Sequence, residues 1–207
     1  MFVPDRHPQA AAPVRQQLKR ATADVHRRLE TELGLLDPDL SLDRYRRILE
    51  SFFGFYAPVE ADMARLASAG LAVGFPMRAR TGLIESDLRS IGLSRRELAA
   101  LPRCAEPPRL SSRAQLAGCL YVVEGACLGG QYIAPVLRER LGLDESRGAS
   151  FFVGDADGTR ARWSLFLGWL EELVQGGAKT GEIVASARAT FRALARWVEE
   201  GRAHGPW

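Results

Sequence analysis

The stretch VRQQLKRATADVHRRLETELG, from Val14 to Gly34, decides the fold class. Val14, Leu18, Ala21, Val25, Leu29 and Leu33 recur in it at three- and four-residue spacing. That spacing lays one apolar stripe along a helix of 3.6 residues per turn. Gly34 follows and suits the left-handed turn that ends helices.

The same period continues downstream. Ser41 is placed to cap a long helix with the stripe Tyr45, Ile48, Phe52, Tyr56, Val59, Met63 and Leu66, closed by Gly70. Pro58 lies inside it and should kink it, since proline removes a backbone donor and crowds the preceding turn. Residues 71–84 carry Gly74, Pro76 and Gly82 and read as loop. Short helices are expected over Ile84–Ile91 and Arg95–Leu101. Ser112 and Gln115 have capping-box spacing and open a helix running to Leu141, before Gly142. Beyond the glycine-marked segment 148–158 come two more helices. One has the stripe Trp163, Phe166, Leu170 and Leu173 and ends at Gly176-Gly177. The other has Ile183, Ala187, Phe191, Leu194 and Val198 and ends at Gly201. With no alternating pattern and no internal repeat, the expectation is an all-α, single-domain, multi-helix bundle over residues 14–207. Residues 1–13 form a flexible lead-in.

Composition narrows the function. The 207 residues are 46% hydrophobic and 26% charged, a normal globular balance. The net charge of +3 is spread as single arginines rather than runs, which argues against a nucleic-acid groove. No stretch approaches the roughly 20 apolar residues of a membrane span, and residues 1–13 lack the pattern of a signal peptide. Cys104, Cys119 and Cys127 have no zinc-type spacing and read as small buried thiols in a reducing cytoplasm.

Two constellations could carry chemistry. Of the three histidines, His7 and His204 lie near the chain ends, whereas His26 sits mid-helix beside the apolar stripe. Lys19, Thr22 and Glu30 fall on the same helix face, at seven, four and four residues' distance. A neutral imidazole is a good iron ligand, and a carboxylate one turn away suits its other ring N–H. A surface His–Glu pair would look the same. The second constellation is Gly125, Gly129 and Gly130 inside one helix, each costing about 1 kcal/mol relative to alanine. Either a packed neighbouring helix or a flat ligand lying on bare backbone explains them.

Leu18-Lys19-x-Ala21-Thr22-x-x-Val25-His26-x-x-x-Glu30 resembles the proximal helix of the haem oxygenases, and Gly125-x-x-x-Gly129-Gly130-Gln131 resembles their distal helix. Leu120–Gly125 and Leu83–Gly92 look most like bacterial members, including those that supply bacterial phytochromes with biliverdin. The resemblance covers about residues 14–200. It implies haem b held between the proximal and the kinked distal helix, with His26 as the iron ligand. Gly125, Gly129 and Gly130 would then face the reacting side. It further implies that Lys19 meets a propionate, that Thr22 and Glu30 share the haem face, and that Phe191 lines the pocket. Arg162 would be a second basic propionate contact.

The activity implied is oxidative cleavage of haem to biliverdin, carbon monoxide and iron, using O2. Electrons would come from an external ferredoxin- or flavoprotein-type donor, since no nucleotide fingerprint is present. The alternative is a non-catalytic haem carrier. One position departs from many relatives: Ala126 stands where they carry an aspartate that organises distal water.

Overall fold

The computed structural model describes residues 12–71, 74–154 and 156–203, and every regular element among them is an α-helix. They are α1 (Val14–Leu33), α2 (Leu42–Ser68), α3 (Thr81–Ser90), α4 (Arg95–Ala100), α5 (Arg113–Leu141), α6 (Ser150–Val153), α7 (Ala156–Gln175) and α8 (Thr180–Ala203). His7 and His204 lie outside the described residues.

The ends are fixed largely by local chemistry. Gly34 and Gly142 take positive φ, +58° and +65°, and their N–H groups bond back into α1 and α5. The Ser41 hydroxyl accepts the Arg44 N–H at 3.1 Å, a cap worth about 1 kcal/mol. Ser112 likewise accepts from Gln115, but the box is displaced by one residue. The Gln115 side-chain oxygen Oε1 takes the N–H and hydroxyl of Ser111 instead.

Three elements depart from the sequence pattern. Helix α3 starts at Thr81, three residues before Ile84. Its first N–H groups are capped from α2: Glu60 accepts the N–H of Arg80 at 2.6 Å and the hydroxyl of Thr81 at 2.7 Å. Helix α6 lies within the glycine-marked segment. The buried Asp87 carboxylate anchors it by accepting the N–H groups of Ser150 and Phe151, each at 2.8 Å. Helix α8 runs through Gly201 to Ala203. By length and composition α5 also reaches what a bilayer span needs, contrary to expectation. Its apolar side chains pack here on α8, α6 and α7.

Helix α8 is the spine on which the site is built. Its stripe Ile183, Ala187, Phe191, Leu194 and Val198 is buried throughout, and both α5 and α1 pack on it. The α5 seam is unusually close at Gly118, where a Cβ would lie 2.3 Å from the Ile183 carbonyl oxygen. Contacts climb both seams in the same order. Ser186 donates to the backbone carbonyl of Gln115, and Thr190 lies beside the Cys119 thiol on α5. On α1, Arg188 donates to the Ala21 carbonyl and the Phe191 ring meets His26. Hence α1 and α5 run the same way along α8, side by side, yet scarcely touch each other.

Candidate functional site

Where α1 and α5 do meet, Tyr121 lies against the hydroxyl of buried Thr22. Burial pushes the Tyr121 phenol above its usual range, while the Thr22 hydroxyl and the Arg15 charge pull it back. Thr22 Oγ1 also donates to the Leu18 carbonyl at 2.8 Å. Thr22 is therefore a helix-contact residue, unlike its exposed face-mates. One turn further on, α1 presents His26 and α5 presents Gly125; a second turn brings Glu30 and Gly129. The two helices thus form a wedge, closed at Thr22–Tyr121 and floored by α8.

On the α1 side, the His26 imidazole is half exposed at 52% and rests on Phe191, with ring centroids 5.2 Å apart. Phe191 itself is buried, so one residue serves as both core and floor. The Glu30 carboxylate stands 3.4 Å from His26 Nε2, ion-pair reach but long for a hydrogen bond. Lys19 is exposed on the same helix and makes no ion pair among the described residues.

On the α5 side, the three glycines separate. A Cβ on Gly129 would meet nothing but Ile133 of its own helix, at 3.8 Å, so this position is open. A Cβ on Gly125 would touch the Trp163 ring at 3.8 Å. Gly130 points elsewhere: its Cβ would fall 2.0 Å from the Phe152 carbonyl oxygen. Gly130 is thus a packing glycine that admits α6, a correction to its reading as a site residue. Ala126 is exposed and offers no hydrogen bond.

The contrast has a measurable consequence. Gly130→Ala is expected to destabilise the chain by about 1–3 kcal/mol, because a carbonyl and not a flexible side chain stands in the way. Gly129→Ala should instead stabilise it by up to about 1 kcal/mol through helix propensity. Urea denaturation of the two variants measures both, and equal shifts would refute the different environments.

Arg162 also departs from expectation. Its guanidinium donates to Glu124 through Nε at 2.7 Å and Nη2 at 2.5 Å, and lies over the Phe75 ring at 4.8 Å. Glu124 is only 5% exposed. The arginine's charge is already matched inside the α5–α7 interface, which leaves it unsuited to a propionate. Nothing in the sequence near Arg162 signalled this partner 38 residues away. One turn further along the same face of α5, Arg80 donates to Cys127 Sγ and to the Phe151 carbonyl, and stacks over the Phe151 ring at 4.7 Å. Cys127 is accordingly half-buried, unlike Cys104 and Cys119.

Open clefts also occur away from the wedge. One of about 540 Å³ is lined by Glu60, Met63, Phe75 and Met77, among others, and shares no residue with the wedge.

Comparison with known proteins converges on one family. Residues 12–200 match the family model described as heme oxygenase. A heme oxygenase of Xanthomonas campestris is 31% identical over 153 residues, covering 73% of this chain and 87% of that protein. Heme oxygenase PigA of Pseudomonas aeruginosa is 29% identical over 156 residues, 75% and 76% of the two chains. The NO- and CO-bound heme oxygenase of Neisseria meningitidis superposes with a TM-score of 0.75 at 21% identity, over 93% of this chain and 94% of that one. The heme oxygenase of Leptospira interrogans gives 0.69 at 20% identity, covering 91% of this chain and 100% of that one.

Proposed function

We infer, for a chain that belongs to the haem oxygenase family, that the α1–α5 wedge is its substrate site and that His26 is the iron ligand. The activity is that of the family: oxidative cleavage of haem to biliverdin, with an external redox partner supplying electrons. The carrier alternative has no observation of its own in its favour.

The observation that carries the site is the separation of two helices on a common spine. α1 and α5 both pack on α8 but barely on each other. Beyond the Thr22–Tyr121 contact one offers an accessible imidazole and the other a stretch of bare backbone. A flat, apolar ring with one metal-binding axis fits that gap. A peptide or a compact polar ligand would leave both the glycines and the imidazole unexplained.

The residues then take roles. His26 would hold the haem iron as a neutral imidazole. Because Glu30 now faces Nε2, ligation through that nitrogen requires the ring to turn and present Nδ1–H to Glu30. The carboxylate would then fix the tautomer and raise the ligand's basicity. Phe191 supports the imidazole from below. Lys19, exposed and uncommitted, pairs with a propionate. Gly129 lets the distal backbone approach the ring, and Gly125 shapes the helix beside it. Ala126 provides no hydrogen bond, so backbone groups around Gly125 and Gly129 order the distal water.

Bound haem supplies the iron at which O2 is reduced during ring opening. The electron donor is of ferredoxin or flavoprotein type: Arg15, Lys19, Arg20, Arg27 and Arg28 are all exposed on α1 and favour an acidic partner. The product suits a bacterial phytochrome as acceptor. Burial pushes the free Cys119 thiol up to about 12, and such thiols suit the cytoplasm.

The test is turnover. Haem-loaded protein given an electron donor and O2, with catalase present, should lose its Soret band as biliverdin absorption grows. A Soret band that persists through many equivalents of reductant would overturn the enzymatic reading.

A further inference from the structure

We propose that Trp163 is a specificity-determining wall, which stops haem along α5 and so selects the edge of the macrocycle that is cut. The proposal rests on the wedge being the haem site. It starts from the unequal surroundings of Gly125 and Gly129. The Trp163 indole stands about one methyl group's width from the helix at Gly125, two of its ring atoms 3.8 Å from where a Cβ would be. Carbon atoms pack at about 3.5–4.0 Å, so no second flat ring fits between the indole and the helix. One turn on, at Gly129, the space is open. The macrocycle therefore takes its distal contact at Gly129, with its rim against the indole.

A wall must also stay in place, and Trp163 is held from three sides. Its ring packs on Tyr121 of α5, centroids 5.7 Å apart, and on buried Phe166 of its own helix at 5.3 Å. The adjacent Arg162 is fastened to Glu124, the residue immediately before Gly125. The anchor and the wall thus meet neighbouring positions of α5. Sliding of α7 along α5 would break the ion pair before it moved the indole off Gly125.

The four meso carbons of haem differ only through the substituents around the rim. The carbon opened is therefore decided by how the ring is turned in its plane. An indole fixed at one edge favours those orientations whose rim substituents clear it. Removing the indole frees the others.

The experiment uses the full chain loaded with haem, as wild type, Trp163→Ala and Trp163→Leu. Leucine keeps apolar burial without the flat ring, in case the alanine variant folds poorly. The haem-methyl proton resonances of the ferric cyanide complex report ring seating without turnover. Chromatography of the biliverdin isomers reports the carbon cut. Both variants should keep histidine ligation, show a second haem-methyl pattern, and shift the isomer ratio by about tenfold, the factor given by 1.4 kcal/mol of lost discrimination. An unchanged methyl pattern with an unchanged isomer ratio would overturn the proposal. Wild-type protein that binds haem but leaves it intact would defeat the enzymatic reading alone, and the methyl pattern would still decide on Trp163. Failure of the wild type to bind haem would defeat both.

Discussion

His26→Ala is expected to abolish imidazole ligation of the iron and to lower turnover by more than the roughly 10- to 100-fold typical of losing a supporting hydrogen bond at a metal site. The histidine stands in the wedge on α1, half exposed and backed by Phe191, and no second histidine occurs among the described residues. Truncation leaves a gap beside Phe191 of about the imidazole's own size. Free imidazole added in excess should enter it and restore the ferric spectrum in part. That rescue separates loss of the ligand from loss of the fold. A variant that kept the wild-type ligand signature would exclude His26, and His7 or His204 would then have to serve.

The second large effect concerns stability. Glu124→Ala should cost about 3–5 kcal/mol, the usual penalty for stranding one member of a buried ion pair. The Arg162 side chain is 16% exposed and has given up most of its hydration to the carboxylate. Stacking on Phe75 does not replace a counter-charge. The double variant Glu124→Leu with Arg162→Met should recover most of the loss, since apolar replacement of a buried pair is often neutral or better. Denaturant melts of the singles and the double give the coupling directly. A double variant as unstable as the sum of its singles would show that the two residues act independently.

How far the site was legible in the sequence depended on the range of the interactions that make it. The stripe from Val14 to Leu33 and the glycine stops at Gly34 and Gly142 are local, set by periodicity and by backbone conformation, and they read correctly. Helix α6 escaped because four residues are about one turn, too short to show a period, and because its anchor, Asp87, lies 63 residues earlier. The start of α3 escaped for the same reason: its cap is Glu60, from another helix. Within the site, His26 stood out by its place on the helix, while Arg162 carried no local sign of being spent on Glu124. The glycines show the limit best. The energetic argument found that Gly129 and Gly130 needed a reason, but only the neighbouring backbone tells an open face from a packed one. The same argument applied to Gly118 would have marked the α5–α8 crossing.

The shared spine also bears on how a turnover ends. The faces of α1 and α5 share no extensive seam, so the gap between them is set by the helices on which both pack, chiefly α8 and more lightly α7. Parting them separates the Thr22 and Tyr121 side chains without opening a helix interface between α1 and α5. The α5 joint is locked by the intimate approach at Gly118, whereas α1 is tied by Arg188 at Ala21 and by ring contact at His26. Movement of the wedge is therefore expected chiefly in α1. Rocking of α1 over microseconds to milliseconds, the usual range for packed elements, would then admit haem to the proposed site and release the opened tetrapyrrole.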